Sequence, residues 1–296
     1  KYGAVTRLTT GTVSALNATY NIQVDLSTQN VLIKTGYTTS ITNGTVTVKA
    51  GGQLDVNQAI TTSAAANSAL AGGAVLLKSS GAITTAATNG TITTTGGSST
   101  AAADADTAGA GGEVLIYSTG AGAITLGAGI TAKGGNAIDA ADVNGTGGVV
   151  TIRNDSGTIT LHDITTAAGT GGTGGSAGTI QVKSVGGDVT QASSTALTAA
   201  NVKAVSDSNV TLANTGNDAV TIAANITVSN KSFSFTDSSG VSVGTVGSLG
   251  TLDGGNATLA SVSGSSVSRL ATISGRAAFF APEMRISPVS RLPPRT

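Results

Sequence analysis

The stretch "GGEVLIYSTGAGAITLGAGITAKGGNA", Gly111 to Ala137, opens and closes on a glycine pair and carries three short apolar pieces between them. Val114 and Ile116 form the first, Ala123-Ile124-Thr125 the second, and Ile130-Thr131-Ala132 the third. Residues i and i+2 of a strand face the same way, so Val114 and Ile116 point inward together while Leu115 and Tyr117 point out. The stretch therefore reads as strand, corner, strand, corner, strand.

The same order recurs along the chain. The first piece returns as Val46/Val48, Val75/Leu77, Val150/Ile152 and Ile180/Val182. The second returns as Ile83-Thr84, Ile159-Thr160 and Val189-Thr190. The third returns as Ile60-Thr61-Thr62, Ile92-Thr93-Thr94, Ile164-Thr165-Thr166 and Leu197-Thr198-Ala199. Only the Gly/Ala/Ser/Asp connection from the third piece to the next first piece varies in length, giving a repeat of roughly 30 to 40 residues. One such unit cannot bury its apolar face alone, but units stacked at about 4.8 Å can. Each buried Val, Ile or Leu then contributes roughly 1.5–3 kcal/mol. The expected fold is all-β, a right-handed parallel β-helix (β-solenoid) with three short strands per turn, over residues 1–268. The column Val75–Val114–Val150–Ile180 and the column Ile83–Ile124–Ile159–Val189 should each stack inward. A β-sandwich is the alternative, and the Asn-Gly pairs at Asn43, Asn89 and Asn144 are the hairpin turns it would need.

Composition agrees with tight strand stacking. Aromatics are only 3% and charged residues 10%, whereas 42 glycines and abundant Ala, Val and Thr favour thin strands and sharp corners over helix. Net charge is zero, which gives no general reason to expect nucleic acid. No apolar run is long enough for a membrane span. With no Cys there is neither disulfide framework nor thiolate metal site. The chain begins at Lys1, as a processed product or a fragment would. Residues 269–296 break the pattern: they hold all four prolines, Phe279, Phe280, and Arg269, Arg276, Arg285, Arg291 and Arg295. Proline cannot donate to a ladder, so this part reads as a basic extended tail or docking arm. Phe279, Phe280, Arg285 and Arg291 are its candidate assembly contacts.

The runs "GGAVLLKSSGAITT", "GGEVLIYSTGAGAITLGAGITAKGG" and "GGVVTIRNDSGTITLHDITT" resemble the filamentous-haemagglutinin-like exoproteins and adhesin passengers of bacteria, over roughly residues 20 to 260. The resemblance implies a secreted, surface-displayed, non-enzymatic β-helix used for adhesion or as a self-assembling fibre. Its partners would be further copies of itself, or a host or matrix polysaccharide. The chain departs from that family in showing neither an Asn-Pro-Asn secretion motif nor C-terminal barrel-forming strands.

Chemistry is sparse. Parallel β-helices also host polysaccharide-cleaving enzymes, which need clustered carboxylates, but here acidic pairs occur only at Asp104/Asp106 and Asp139/Asp142 in the long connections. Those loops could give Ca²⁺ some of its six to eight oxygens, or could be solvated charge. The single His162 adjoins Asp163, and strand neighbours point to opposite faces, so no catalytic pair is expected. An outward column of Thr84, Thr125, Thr160 and Thr190 raises ice binding as a remote alternative. The strongest signal is a second outward column: Lys49, Lys78, Tyr117, Arg153 and Lys183. Like charges stacked so closely repel. Either the cations discourage association of sheet faces, or Lys49, Lys78, Arg153 and Lys183 form a ridge for an anionic glycan.

Overall fold

The computed structural model describes residues 22–26, 28–33, 39–40, 42–100, 106–228 and 230–247, together with the strands Leu252–Asp253, Thr258–Ser263 and Val267–Arg269. These residues are all-β, and no helix among them is long and apolar enough to cross a membrane. Two curled sheets contain every strand. First strands stack on first strands: Ile22–Leu26, Val46–Ala50, Val75–Ser79, Val114–Ser118, Val149–Asn154 and Thr179–Ser184 lie in sequence order. Second strands do likewise through Val31–Ile33, Leu54–Val56, Ile83–Thr85, Ile124–Leu126, Ile159–Leu161 and Val189–Gln191. Third strands stack through Ile60–Thr61, Ile92–Thr93, Ile130–Thr131 and Ile164–Thr165. All strand pairings are parallel, so a sandwich built from hairpins is excluded.

Register follows the apolar pattern. Val46, Val75, Val114, Val150, Ile180, Val202 and Ile222 form one continuous buried column. Leu54, Ile83, Ile124, Ile159, Val189, Val210 and Phe233 form another. A one-residue slip would turn each column out to solvent, and burial on one face is what pins it. Toward the C-terminal side the interior changes size in a compensated way. Ala204 and Ala224 replace Val and Ile in the first-strand sheet, while stacked Phe233 and Phe235, ring centroids 6.4 Å apart, fill the space from the other.

The connections of variable length are themselves ordered. Each leaves a third strand and returns to a first strand, and its two glycine-rich arms bond to each other and to the arms of neighbouring repeats. Gly97 N–H donates to Leu70 O, Gly109 to Gly97, Gly135 to Gly109, Gly145 to Gly135 and Gly169 to Gly145, at 2.8–2.9 Å. A Cβ on Gly135 would lie 1.9 Å from the Gly97 carbonyl oxygen, so the arms approach closer than any side chain allows. The layer ends where the connection disappears. Leu197–Ser206 runs third and first strand together through Ala200, and Asp218–Ile226 does the same.

Candidate functional site

From the third first strand onward a polar residue turns inward at the strand end, in register on the buried Ala50 of the strand before: Ser79, Ser118, Asn154, Ser184 and Ser206, all buried. Ser118 Oγ donates to Gly81 O at 2.7 Å, Asn154 Nδ2 to Gly122 O at 2.9 Å, and Ser184 Oγ to Gly157 O at 2.8 Å. Each bond reaches the corner of the preceding repeat and satisfies a carbonyl that the sharp bend removes from the ladder. This clamp fixes the direction of the residue just before it, which is an outward member of the column: Tyr117 before Ser118, Arg153 before Asn154 and Lys183 before Ser184.

That column stands as expected in register: Asp25, Lys49, Lys78, Tyr117, Arg153 and Lys183 oppose one another on successive strands. It is not a bare row of like charges, however. Lys49 Nζ lies 3.5 Å from Asp25 Oδ2. The Tyr117 ring sits between two cations, with Lys78 Nζ 5.4 Å and Arg153 Cζ 4.8 Å from its centroid. Cation–π attraction to the ring offsets the repulsion that the spacing of strands would otherwise impose. Asp155, from the corner that follows, binds Arg153 Nε at 2.6 Å and accepts the Tyr117 hydroxyl. Burial would raise the Asp155 carboxyl, but the hydrogen bonds from Tyr117 and Arg153 and the charges of Arg153 and Lys183 outweigh it and hold the group below its ordinary value. The bond to Asp155 in turn raises Tyr117, which stays a neutral donor. Lys183 at the end of the row is exposed.

The acidic loops serve the fold. Asp142 is fully buried and accepts Ser99 Oγ at 2.5 Å, the Asp106 N–H at 3.1 Å and the Ile138 N–H at 3.3 Å. The Ser99 bond comes first among the causes that lower its carboxyl. Oxygens already aimed at three donors do not fit a Ca²⁺ site, and among the described residues no three His, Asp or Glu side chains converge as metal ligands. Asp104 lies outside the described residues.

His162 and Asp163 require a correction. The second strand ends at Leu161 and the third begins at Ile164, so the pair occupies a corner rather than alternating strand positions. His162 Nδ1 thereby comes 3.0 Å from Asp163 Oδ2, without hydrogen-bond geometry, while Asp163 Oδ1 accepts the Ala196 N–H at 2.8 Å. The outward threonines do line up, Thr84 on Thr125 on Thr160 on Thr190, and Thr160 and Thr190 share a bond of 3.3 Å. Phe279, Phe280, Arg285 and Arg291 lie outside the described residues.

Sequence reasoning missed the inward Ser/Asn clamp and the role of Asp155. The first was visible as the Ser or Asn that follows each outward position in "KS", "YS" and "RN"; the second had no periodic signal at all. No protein-family model, curated protein or solved structure matches this chain.

Proposed function

We propose that the chain is a right-handed parallel β-solenoid with three short strands per turn, acting outside a bacterial cell as a non-enzymatic adhesive element whose basic ridge holds anionic polysaccharide. Strands that pair in parallel with every third strand along the chain support the architecture, and crossovers between parallel strands are right-handed in nearly all proteins. The likeness of the GG-x-V-x-I-x-S runs to filamentous-haemagglutinin-like exoproteins supports the location and the adhesive role.

The observation that carries the function is the Lys49–Lys78–Tyr117–Arg153–Lys183 column. In a chain of zero net charge, four cations stand in one line on a rigid face. Asp25 and Asp155 offset Lys49 and Arg153, and the surplus at Lys78 and Lys183 leaves a positive line that a linear polyanion can follow. Tyr117 and Asp155 hold Arg153 in place, so less side-chain entropy is lost on binding. The test is retention on a sulfated-glycan column. The wild-type chain should elute progressively earlier as salt rises, because exposed charges are screened. The double variant Lys78→Ser/Arg153→Ser should flow through, and equal retention of the two proteins would leave the ridge with only its role of keeping sheet faces apart.

A further inference from the structure

Beside the cation column runs a second outward column, two residues earlier on each strand: Thr47, Leu76, Leu115, Thr151, Gln181 and Lys203. Its next member is Ala223, which register places on the same outer face and which is nonetheless completely buried. The segment 244–247 follows alongside, its Gly244 N–H donating to Ile222 O at 3.0 Å. It carries Val246, itself buried, and turns at Gly247 with φ of +61°. Its Thr245, Val246 and Gly247 form one wall of a groove on the outer face. The groove, of about 420 Å³, is lined from the strands by Thr179, Gln181, Asn201 and Lys203.

The chemistry of this groove differs from that of an apolar pocket. Asn201 Nδ2 reaches Thr179 Oγ1 at 3.4 Å, but among the described residues neither the Gln181 amide nor the Lys203 ammonium has a partner. One unpartnered cation, two primary amides and two hydroxyls within a space in the size range of small-molecule sites match a compact, hydroxylated anion. Lys203 stands one strand and two residues from Lys183, so the groove continues the basic ridge.

We propose that this groove receives the terminal acidic sugar, a uronate, of a polysaccharide lying along the outer face. The Lys203 ammonium pairs with the carboxylate, Gln181 and Asn201 bond the ring hydroxyls, and the Val246 wall stops the chain. The proposal rests on the reading of this face as a glycan surface, and the two fail separately in the following experiment. Calorimetric titration of the full chain uses trigalacturonate, neutral maltotriose, and heparin as the long polyanion. Trigalacturonate affinity should fall at least tenfold in Lys203→Ser/Gln181→Ala and by clearly less in Lys78→Ser/Arg153→Ser, whereas heparin should weaken in both. Lys203→Glu, which keeps an aliphatic stem on the strand, should give the same loss if the double variant melts early. Partial hydrolysis of galacturonan at constant mass should raise the bound protein in proportion to chain ends. Trigalacturonate that ignores the wild-type chain, binds the groove variants unchanged or binds no better than maltotriose overturns the groove, and a capacity indifferent to hydrolysis overturns end recognition. Groove-dependent trigalacturonate binding with heparin unaffected by Lys78→Ser/Arg153→Ser keeps the groove and removes the ridge.

Discussion

At the scale of the residue, stability depends on polar groups placed where the apolar pattern breaks. Asn154 shows this most directly: its amide donates to Gly122 O and to Thr158 O at 3.1 Å and accepts the Ser156 N–H at 3.1 Å, all within a buried corner. Asn154→Ala leaves these groups unsatisfied and should cost about 1–3 kcal/mol, read from the denaturant midpoint. Tyr117→Phe, which removes one hydroxyl from a half-exposed cluster, should cost under about 1 kcal/mol. The carboxylates give a second expectation. Asp142, Asp155 and Asp188 are all lowered: Asp142 by Ser99, Asp155 by Tyr117 and Arg153 against burial, and Asp188 by Ser208. A depressed carboxyl contributes its stability above the unfolded value of about 3.9 and loses it as pH falls through the lower folded value. The melting temperature should therefore be flat from neutrality to about pH 5 and fall below about pH 4. A melting temperature that holds steady to pH 2 would mean that these bonds do not differ between folded and unfolded chains. Inward Val and Ile were legible in the sequence because burial imposes a period; the roles of Asp155 and Asp142 were not, because each joins a near neighbour, Arg153 or Ile138, to a side chain of another repeat, Tyr117 or Ser99.

At the scale of the element, two stacking systems share one chain. The strands stack through the side chains of Val, Ile and Leu, and the connections stack through the backbone of glycine. The sequence announced the strands by alternation and the corners by glycine, yet presented the connections only as a composition of varying length. Close approach of backbone to backbone has no side-chain signature beyond Gly itself, so order in this layer was not readable from the sequence. Its consequence can be measured. In Gly109→Ala the new Cβ would fall 1.8 Å from Leu70 O, and in Gly135→Ala 1.9 Å from Gly97 O, both immovable backbone atoms. Each should destabilise the protein by roughly 1–3 kcal/mol through forced separation of the arms. Gly129→Ala is the control: its nearest neighbours, the Cβ and carbonyl oxygen of Asp163, would lie at 3.4 and 3.5 Å, which is ordinary contact. That variant should stay within about 0.5 kcal/mol of wild type. Equal, small effects at all three positions in chemical denaturation would show that the connections contribute nothing to stability.

At the scale of the whole molecule, a stack of parallel strands has an open edge at each end, and such edges attract further strands unless something covers or blunts them. Among the described residues no helix covers either edge. Arg269 still closes the strand Val267–Arg269, one residue past the boundary the sequence suggests; the rest of 269–296 carries Phe279 and Phe280, two of only four Phe in a chain without Trp, and four further arginines among its prolines. Proline keeps such a segment out of a ladder, while paired aromatics and arginines are the residue types that dominate protein interfaces. The expected outcome is that the full chain polymerises end to end or through this arm, visible as filaments by electron microscopy and as mass rising with concentration in sedimentation. Deleting residues 269–296 should shorten or abolish the polymers while leaving the β-rich circular dichroism unchanged, since the buried columns lie entirely before it. Phe279→Ser/Phe280→Ser should reproduce the deletion if the aromatics carry the contact, and Arg285→Ser/Arg291→Ser should make assembly less sensitive to salt. A full chain that sediments as a monomer at high concentration, with the truncated chain behaving identically, would overturn assembly through this segment.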